Sequence, residues 1–226
     1  MEPELFLFDF CPYCQRVSIV VAHLSIAHQA IQLGGGERPS WFGEVSPQKT
    51  VPALRIGSQS MFDSSVITEY LNDSVQGGML PADPVERGVC RSWIGHAGQC
   101  QGLFTRLCQA TGQGGFETVR KELIDALERI ELGPLTQGCH GFNGRALSLV
   151  DVAMAPLFTR IAHVENWQAI LPTIGLERVR SWSERLLAEP VVAASIPDNF
   201  PILFQRFLKN KAADGHLAER LGVAGS

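Results

Sequence analysis

The stretch Cys11-Pro12-Tyr13-Cys14 decides the fold of this chain. It follows the apolar residues 5–8 and precedes an apolar stretch with helical periodicity that begins at Arg16. A cysteine at the first turn of a helix faces unpaired N–H groups and the positive end of the helix dipole, which favour its thiolate. Pro12 suits the first helical position, because that position needs no N–H donor. The pattern predicts a redox or thiol-transfer site where a strand leads into a helix.

Two structural interpretations of the motif compete with the redox one: a buried cysteine pair, and half of a zinc site. A zinc site needs four ligands, typically with a second Cys-x-x-Cys or a His-x-x-x-His. The six histidines and the other cysteines supply no such spacing; these cysteines are Cys90, Cys100, Cys108 and Cys139. The redox interpretation is therefore favoured, and no metal is expected.

Length and charge narrow the classes of function. With 226 residues, 45% of them hydrophobic, the chain can bury the core of one domain or of two small ones. The net charge is -4 and the 19 basic residues never form a run, so neither nucleic acid nor a membrane is an expected partner. The N-terminus lacks the features of a signal peptide. We expect a cytoplasmic protein with reduced cysteines.

Residues 1–76 alternate strand and helix signals, and this order predicts an α/β unit with parallel pairing. The predicted strands and helices are strands at 4–8, 29–33, 51–56 and 60–62, and helices at 12–25 and 64–71. Residues 77–84 (GGMLPADP) have the composition of a linker.

Residues 85–226 show long helical periods, which predict an all-helical second domain. Its first two helices are expected at 85–110 and 116–132, separated by the glycine-rich residues 111–115. Ser148-x-x-Asp151 is the signature of a capping box and precedes an apolar stretch. We expect that stretch to form the buried central helix of the domain, followed by helices at 175–187 and 200–211.

Together these features resemble the cytosolic glutathione transferases, and the resemblance covers nearly the whole chain. The segments that carry it are residues 10–17, 46–54, 62–67, 80–84 and 148–156. They look most like the cysteine-type members, namely the omega-like transferases, the dehydroascorbate reductases and the two-domain bacterial glutaredoxins. The resemblance implies a thioredoxin-like N-terminal domain that binds glutathione as co-substrate, an all-α C-terminal domain that shapes the acceptor site, and a homodimer.

Site residues follow from the same resemblance. It implies that the catalytic residues are Cys11 and Cys14. It implies that glutathione is bound by Phe10, Pro12, Lys49, Val51, Pro52, Asp63 and Ser64.

A physical reason supports four of these glutathione contacts. Pro52 would be a cis-proline that turns the Val51 backbone toward the cysteinyl residue of glutathione. Asp63 and Ser64 stand at a helix start, which suits the γ-glutamyl carboxylate and amine, although the pair also fits an ordinary N-cap. Lys49 is displaced by one position from the family's pattern. Recognition of the glycyl carboxylate is therefore open between Lys49, Arg16 and a residue that the sequence does not identify.

An acceptor pocket is expected where the helical domain faces Cys11. Trp93, His96 and Cys100 recur at spacings of three and four along one helix face and are the candidates for its lining. The alternative is that this stripe belongs to the core.

The sequence thus predicts a glutathione-dependent enzyme in which Cys11 is the nucleophile. We expect thiol transfer or reductive deglutathionylation of a small molecule or mixed disulfide. One alternative is glutathione-dependent lyase, isomerase or dehalogenase chemistry. Another is a non-catalytic interaction protein with the same fold, which the intact motif disfavours.

Overall fold

The computed structural model describes residues 2–34, 36–137, 146–164, 170–172 and 174–211. Cys139 and the chain after residue 211, both of which belong to the expectations above, lie outside the described residues. The first part of the chain is a four-stranded sheet with helices. Its elements are β1 (Glu4–Leu7), α1 (Pro12–His23), β2 (Gln29–Gln32), a 3₁₀ helix (Ser40–Glu44), β3 (Ala53–Ile56), β4 (Gln59–Phe62) and α2 (Ser64–Ser74).

The sheet has the strand order β2-β1-β3-β4. β1 pairs in parallel with β2, as predicted, whereas β3 runs antiparallel to both β1 and β4, so the sheet is mixed. Strand β1 is central and buried, and its Leu5 lies opposite Leu54. β3 begins at Ala53, two residues later than predicted. Pro52 precedes it and has no N–H to donate to the ladder.

In the second part of the chain, every element among the described residues is a helix. Its elements are α3 (Pro84–Gln109), α4 (Gly112–Leu132), α5 (Pro134–Gln137), α6 (Leu149–Ala162), α7 (Glu177–Ala188), α8 (Pro190–Ala193) and α9 (Phe200–Lys211). This thioredoxin-like sheet domain followed by helices is the fold that the sequence predicted.

The predicted capping box begins α6. The Ser148 hydroxyl accepts from the Asp151 N–H at 3.1 Å, and the Asp151 carboxylate accepts from the Ser148 N–H at 2.9 Å. Asp151 also accepts from the indole of Trp182 and from Arg185 at 2.6 and 2.7 Å. Every residue of α6 from 149 to 161 is buried, which confirms its predicted central position.

One predicted break is wrong. The glycine-rich residues 111–115 do not separate two helices as a loop, because α4 already begins at Gly112. Only the Gln109–Gly112 connection interrupts the helices. Thr111 is the N-cap but makes no side-chain capping bond. The buried face of α4, including Phe116 and Leu123, packs in the core and outweighs the poor helix propensity of glycine.

None of the helices in the described part of the chain is long and apolar enough to cross a membrane.

Candidate active site

Cys11 is the N-cap residue of α1, with backbone angles of φ -72° and ψ 123°. Pro12 occupies the first helical position, as expected. The Cys11 N–H donates to the carbonyl of Phe8 at 2.9 Å, and the Cys11 carbonyl accepts from the N–H of Gln15 at 3.1 Å. The Cys11 side chain, which is half-buried, therefore stands at the positive end of a twelve-residue helix.

This environment lowers the pKa of Cys11 to about 7. The main cause is a hydrogen bond from the Cys14 thiol to the Cys11 sulfur, with further contributions from the N–H groups of Cys14 and Tyr13 and from the charge of Arg160. Burial opposes them by disfavouring the charged sulfur. The lowered pKa increases the fraction of Cys11 thiolate at neutral pH, and the thiolate is the reactive form.

The pKa of the second cysteine of the motif, Cys14, is shifted in the opposite direction. Its side chain is 2% exposed, and its sulfur accepts from the N–H of Phe8 at 3.4 Å. Burial, followed by the neighbouring Cys11, raises the pKa of Cys14. Cys14 therefore remains a thiol that donates to Cys11, and the two cysteines have different chemical roles.

Val51 brings a backbone carbonyl to the nucleophilic sulfur. The Val51–Pro52 peptide bond is cis, and the Cys11 thiol donates to the Val51 carbonyl at 3.7 Å between sulfur and oxygen. Lys49 lies in the preceding turn, where its N–H donates to the Ser46 carbonyl at 2.8 Å. The Lys49 side chain is exposed. The backbone carbonyl that contacts Cys11 and an exposed cation thus lie on the same loop.

Asp63 and Ser64 begin α2. Asp63 is the N-cap and accepts from the Ser65 N–H at 2.7 Å, so the capping role considered above is real. Its φ of 76° lies in a region that favours glycine, and residues held there cluster at functional sites. Ser64 is buried at the first helical position. The structure thus brings Cys11, Val51 and the N-terminus of α2 together on the sheet domain.

Arg160 on α6 is a site residue that the sequence analysis missed. Its guanidinium donates to the carbonyl of Phe10 at 2.7 Å and to the side-chain carbonyl of Gln15 at 2.8 Å. It also lies over the rings of Phe10 and Phe200, with Cζ 5.6 and 5.3 Å from the two centroids. Burial lowers the pKa of Arg160 to about 10, so it stays cationic at neutral pH. A buried cation of the helical part is thereby hydrogen-bonded to the backbone of the residue that precedes Cys11.

The only sequence signal for Arg160 is its isolation. It is one of two charged residues in the otherwise apolar helix α6, the other being Asp151. A charge in such a helix needs a partner, because a buried unpaired charge is costly. The pattern does not reveal which partner that is.

Phe10 belongs to an aromatic cluster with α9. Its ring lies 5.6 Å from the ring of Phe200 and 5.3 Å from that of Phe207, measured between centroids. Phe204 lies at 6.3 Å. The phenylalanines of α9 recur at positions 200, 204 and 207, which is one helix face. Helix α9 therefore packs on Phe10, and direct contact of Phe10 with glutathione stays a prediction.

The residues expected to line an acceptor pocket lie instead between α3 and α4. Cys100 has no exposed surface, so the prediction that it lines an open pocket is wrong; burial raises its pKa to about 12. His96 hydrogen-bonds the Ala126 carbonyl of α4 at 2.9 Å. Trp93 makes an edge contact with His96, at 5.4 Å between centroids. The core alternative fits this stripe better, because α3 turns the face that carries His96 and Cys100 toward α4.

No group of three or more potential metal ligands occurs in the described ranges.

Comparison with known proteins agrees with this arrangement. The family model for the glutathione S-transferase N-terminal domain matches residues 5–77. The sheet part of the chain thus matches the family of glutathione S-transferase N-terminal domains. Glutathione S-transferase omega-1 of Sus scrofa is 26% identical over 193 residues, which cover 84% of this chain and 79% of that protein.

Two further comparisons extend this likeness. Glutathione S-transferase DHAR2 of Arabidopsis thaliana is 25% identical over 182 residues, which cover 79% of this chain and 80% of that protein. The crystal structure of glutathione transferase Omega 3C from Trametes versicolor superposes with a TM-score of 0.78 at 24% identity, over 94% of this chain and 92% of that one. The chain is thus similar to omega and DHAR proteins along most of its length.

Proposed function

We propose that this chain is a glutathione transferase and that it catalyses glutathione-dependent thiol transfer with Cys11 as the nucleophile. The carrying observation is the Cys11 sulfur itself, which is partly exposed at the N-terminus of α1 with a pKa lowered to about 7. A serine or tyrosine at this position can only stabilise a glutathione thiolate, whereas a cysteine can also form a disulfide with it.

The reaction has two balanced steps. The Cys11 thiolate attacks the glutathionyl sulfur of a mixed disulfide, so that a Cys11–glutathione disulfide forms and the acceptor leaves as a thiolate that takes up a proton. The thiolate of a second glutathione then attacks the glutathionyl sulfur on Cys11. Oxidised glutathione leaves and the Cys11 thiolate is regenerated. Overall, the mixed disulfide and one reduced glutathione give the acceptor thiol and oxidised glutathione.

Glutathione binding is assigned to the sheet part of the chain. We propose that residues 1–76 hold glutathione and that residues 85–226, after the linker at 77–84, shape the acceptor site. The Val51 backbone would pair with the cysteinyl residue of glutathione. Because the Val51 carbonyl already adjoins the Cys11 sulfur, this pairing would bring the glutathione sulfur close to the nucleophile. Lys49 is the exposed cation on the same loop and suits the glycyl carboxylate.

Glutathione, rather than Cys14, resolves the intermediate in this proposal. Cys14 is buried and its pKa is raised, so few Cys14 thiolates form at neutral pH. Its contribution is the hydrogen bond that stabilises the Cys11 thiolate.

We also propose a cytoplasmic homodimer. Cys11, Cys14, Cys100 and Cys108 are free thiols, which suits a reducing compartment. On the outer surface, Val66 of α2 and Val85 and Val89 of α3 are exposed, and Arg91 of α3 pairs with Glu69 of α2. This surface offers apolar area to a second copy. Light scattering should give about twice the chain mass of 24.7 kDa, and a monomer would contradict the proposed dimer.

The decisive experiment is mass spectrometry after incubation with oxidised glutathione. We expect one glutathionyl group on Cys11 that is removed by reduced glutathione. The Cys11→Ser variant is the matched control and should remain unmodified. Modification only at another cysteine, or none on the wild type, would contradict the proposed nucleophile.

A further inference from the structure

Gln15 directly follows Cys14 and is a buried amide whose side-chain nitrogen and oxygen both contact the helical part. The residue is 3% exposed. Its amide nitrogen donates to the Thr159 hydroxyl at 3.1 Å and to the Ser195 hydroxyl at 3.0 Å. Its amide oxygen accepts from the Arg160 guanidinium at 2.8 Å. A side chain of the helix that carries the nucleophile is therefore anchored on α6 and on the turn after α8.

The partners allow only one orientation of this amide. The Thr159 hydroxyl donates its proton to the Ala155 carbonyl at 2.9 Å. The Ser195 hydroxyl donates to the Val192 carbonyl at 2.6 Å. Each hydroxyl has a single proton, so both can only accept from the amide nitrogen. A guanidinium has no acceptor, so Arg160 must face the amide oxygen. A glutamate would offer the two hydroxyls only acceptors and would fit this position poorly.

Arg160 joins Gln15 to the loop that precedes the nucleophile. One guanidinium nitrogen, Nη1, donates to the Gln15 amide oxygen and to the Pro156 carbonyl, the latter at 2.9 Å. The other, Nη2, donates to the Phe10 carbonyl at 2.7 Å. The backbone N–H of Gln15 donates to the Cys11 carbonyl at 3.1 Å. Gln15 thus contacts both the cation and the backbone of the residue that carries the sulfur, and its side chain restricts rotation of the guanidinium.

The position of Arg160 matters because its charge acts on the Cys11 sulfur. The pKa of Cys11 is lowered mainly by the Cys14 thiol, and the charge of Arg160 adds to this decrease. Arg160 is itself only 3% exposed, and a charge acts more strongly in such a poorly hydrated environment than in water. A side chain that holds the guanidinium in place therefore also affects how readily Cys11 loses its proton.

We propose that Gln15 is a positioning residue for thiol transfer: its amide holds the guanidinium of Arg160 beside the backbone that carries Cys11 and so keeps the nucleophile reactive. This assignment rests on the proposed function. The side-chain hydrogen bonds of Gln15 lead to the helical part, so Gln15 acts on the Cys11 sulfur through Arg160.

The pH dependence of alkylation by iodoacetamide, followed by mass spectrometry of the Cys11 peptide, tests the assignment. Gln15→Met keeps a long side chain but removes all three hydrogen bonds. At pH 7 its rate should be roughly three- to tenfold below that of the wild type, because the pKa of Cys11 rises. At pH 9 the two rates should agree within about twofold, because the thiolate then predominates in both. Gln101 of α3 is another buried glutamine, 2% exposed, so Gln101→Met is the matched control and should leave the profile unchanged.

A double-variant cycle distinguishes positioning from a purely structural contact. If Gln15 acts through Arg160, adding Gln15→Met to Arg160→Gln should change the rate at pH 7 by less than about twofold. An equal loss in both backgrounds would overturn the assignment. A lower melting temperature of Gln15→Met with an unchanged pH profile would also overturn it, because Gln15 would then only stabilise the fold.

Ser195→Ala covers the case in which Gln15→Met does not fold. It removes one acceptor of the Gln15 amide and leaves Cys11 and Arg160 unaltered. The rate at pH 7 should fall by about two- to threefold and recover at pH 9. An unchanged profile would contradict the assignment. A wild type that takes up no glutathionyl group on Cys11 would overturn the proposed function, whereas the alkylation profiles need no glutathione and would still decide the role of Gln15.

Discussion

The guanidinium of Arg160 donates to the carbonyl of Phe10 at 2.7 Å, although the two residues are 150 positions apart in the chain. Phe10 directly precedes Cys11, so this bond attaches a cation of the helical part to the backbone that carries the thiol. Gln15 extends the link, because its amide nitrogen donates to Thr159 of α6 at 3.1 Å and to Ser195 at 3.0 Å. Arg160 is thereby a positioning residue for Cys11.

Replacing Arg160 should therefore change the thiol. Arg160→Gln removes a positive charge that favours the thiolate, so the pKa of Cys11 should rise above about 7. The rate of alkylation by iodoacetamide at pH 7 should fall by roughly three- to tenfold. Arg160→Lys should restore part of the rate. Arg106, which pairs with Glu122 on the surface, gives the control Arg106→Gln. An unchanged pH profile in Arg160→Gln would limit Arg160 to a structural role.

The pH dependence of the wild type follows from the lowered pKa of Cys11. Above about pH 7 the thiolate predominates and alkylation should be fast; below it the thiol predominates and the rate should fall about tenfold for each further pH unit. Cys14→Ala removes the thiol that donates to Cys11 and should move the profile to higher pH. Cys14→Ser keeps a donor and should move it less. A profile centred near the ordinary cysteine pKa would disagree with this geometry.

Cys11→Ser should lower glutathione-dependent disulfide reduction by orders of magnitude. A serine cannot carry the mixed disulfide, yet it can still cap α1, so thermal stability should remain close to wild type. The activity is measured with a glutathionylated peptide, and folding by circular dichroism. Cys14→Ser serves as the matched variant, with deglutathionylation nearly unchanged. A loss of more than about tenfold in Cys14→Ser, with glutathione binding preserved, would instead show that Cys14 resolves the intermediate.

Variants of Asp63 separate binding from helix capping. Asp63→Ala should lose about 1 to 3 kcal/mol of glutathione binding and about 1 kcal/mol of stability, because both the charge and the cap are removed. Asp63→Asn keeps a good cap and should lose binding while retaining stability. Calorimetry and thermal unfolding measure the two effects. If Asp63→Asn bound glutathione as the wild type does, Asp63 would be a cap only.

Asp151 should dominate the stability of the helical part. Asp151→Ala removes the capping box and leaves Trp182 and Arg185 without their buried acceptor. Losing one partner of a buried charge pair costs about 3 to 5 kcal/mol. Chemical denaturation measures this loss. The control Asp125→Ala removes a surface pair with Lys121 and should cost less than about 1 kcal/mol.

Features made by neighbouring residues were predictable from the sequence. The capping box joins Ser148 to Asp151, three residues apart, and the cap at Cys11 needs only Pro12 and the apolar residues around it. Such patterns depend on backbone periodicity and on hydrogen bonds within one turn. They were enough to predict the sheet domain, the helical part and the candidate nucleophile. The cis-proline and the site at α2 came from the resemblance that those motifs carry.

Tertiary structure alone decided how the site is completed. The face of α3 that holds His96 and Cys100 turns toward α4, and the cation that reaches the loop before Cys11 comes from Arg160 instead. The glycine-rich residues before Phe116 became helical because packing outweighed their propensity. Each of these outcomes depends on contacts between residues distant in the chain, whose partners no local periodicity specifies. The sequence by itself determined the position of the candidate nucleophile and its helix, whereas only the packing of the helical part against them decided which charge and which rings surround that cysteine.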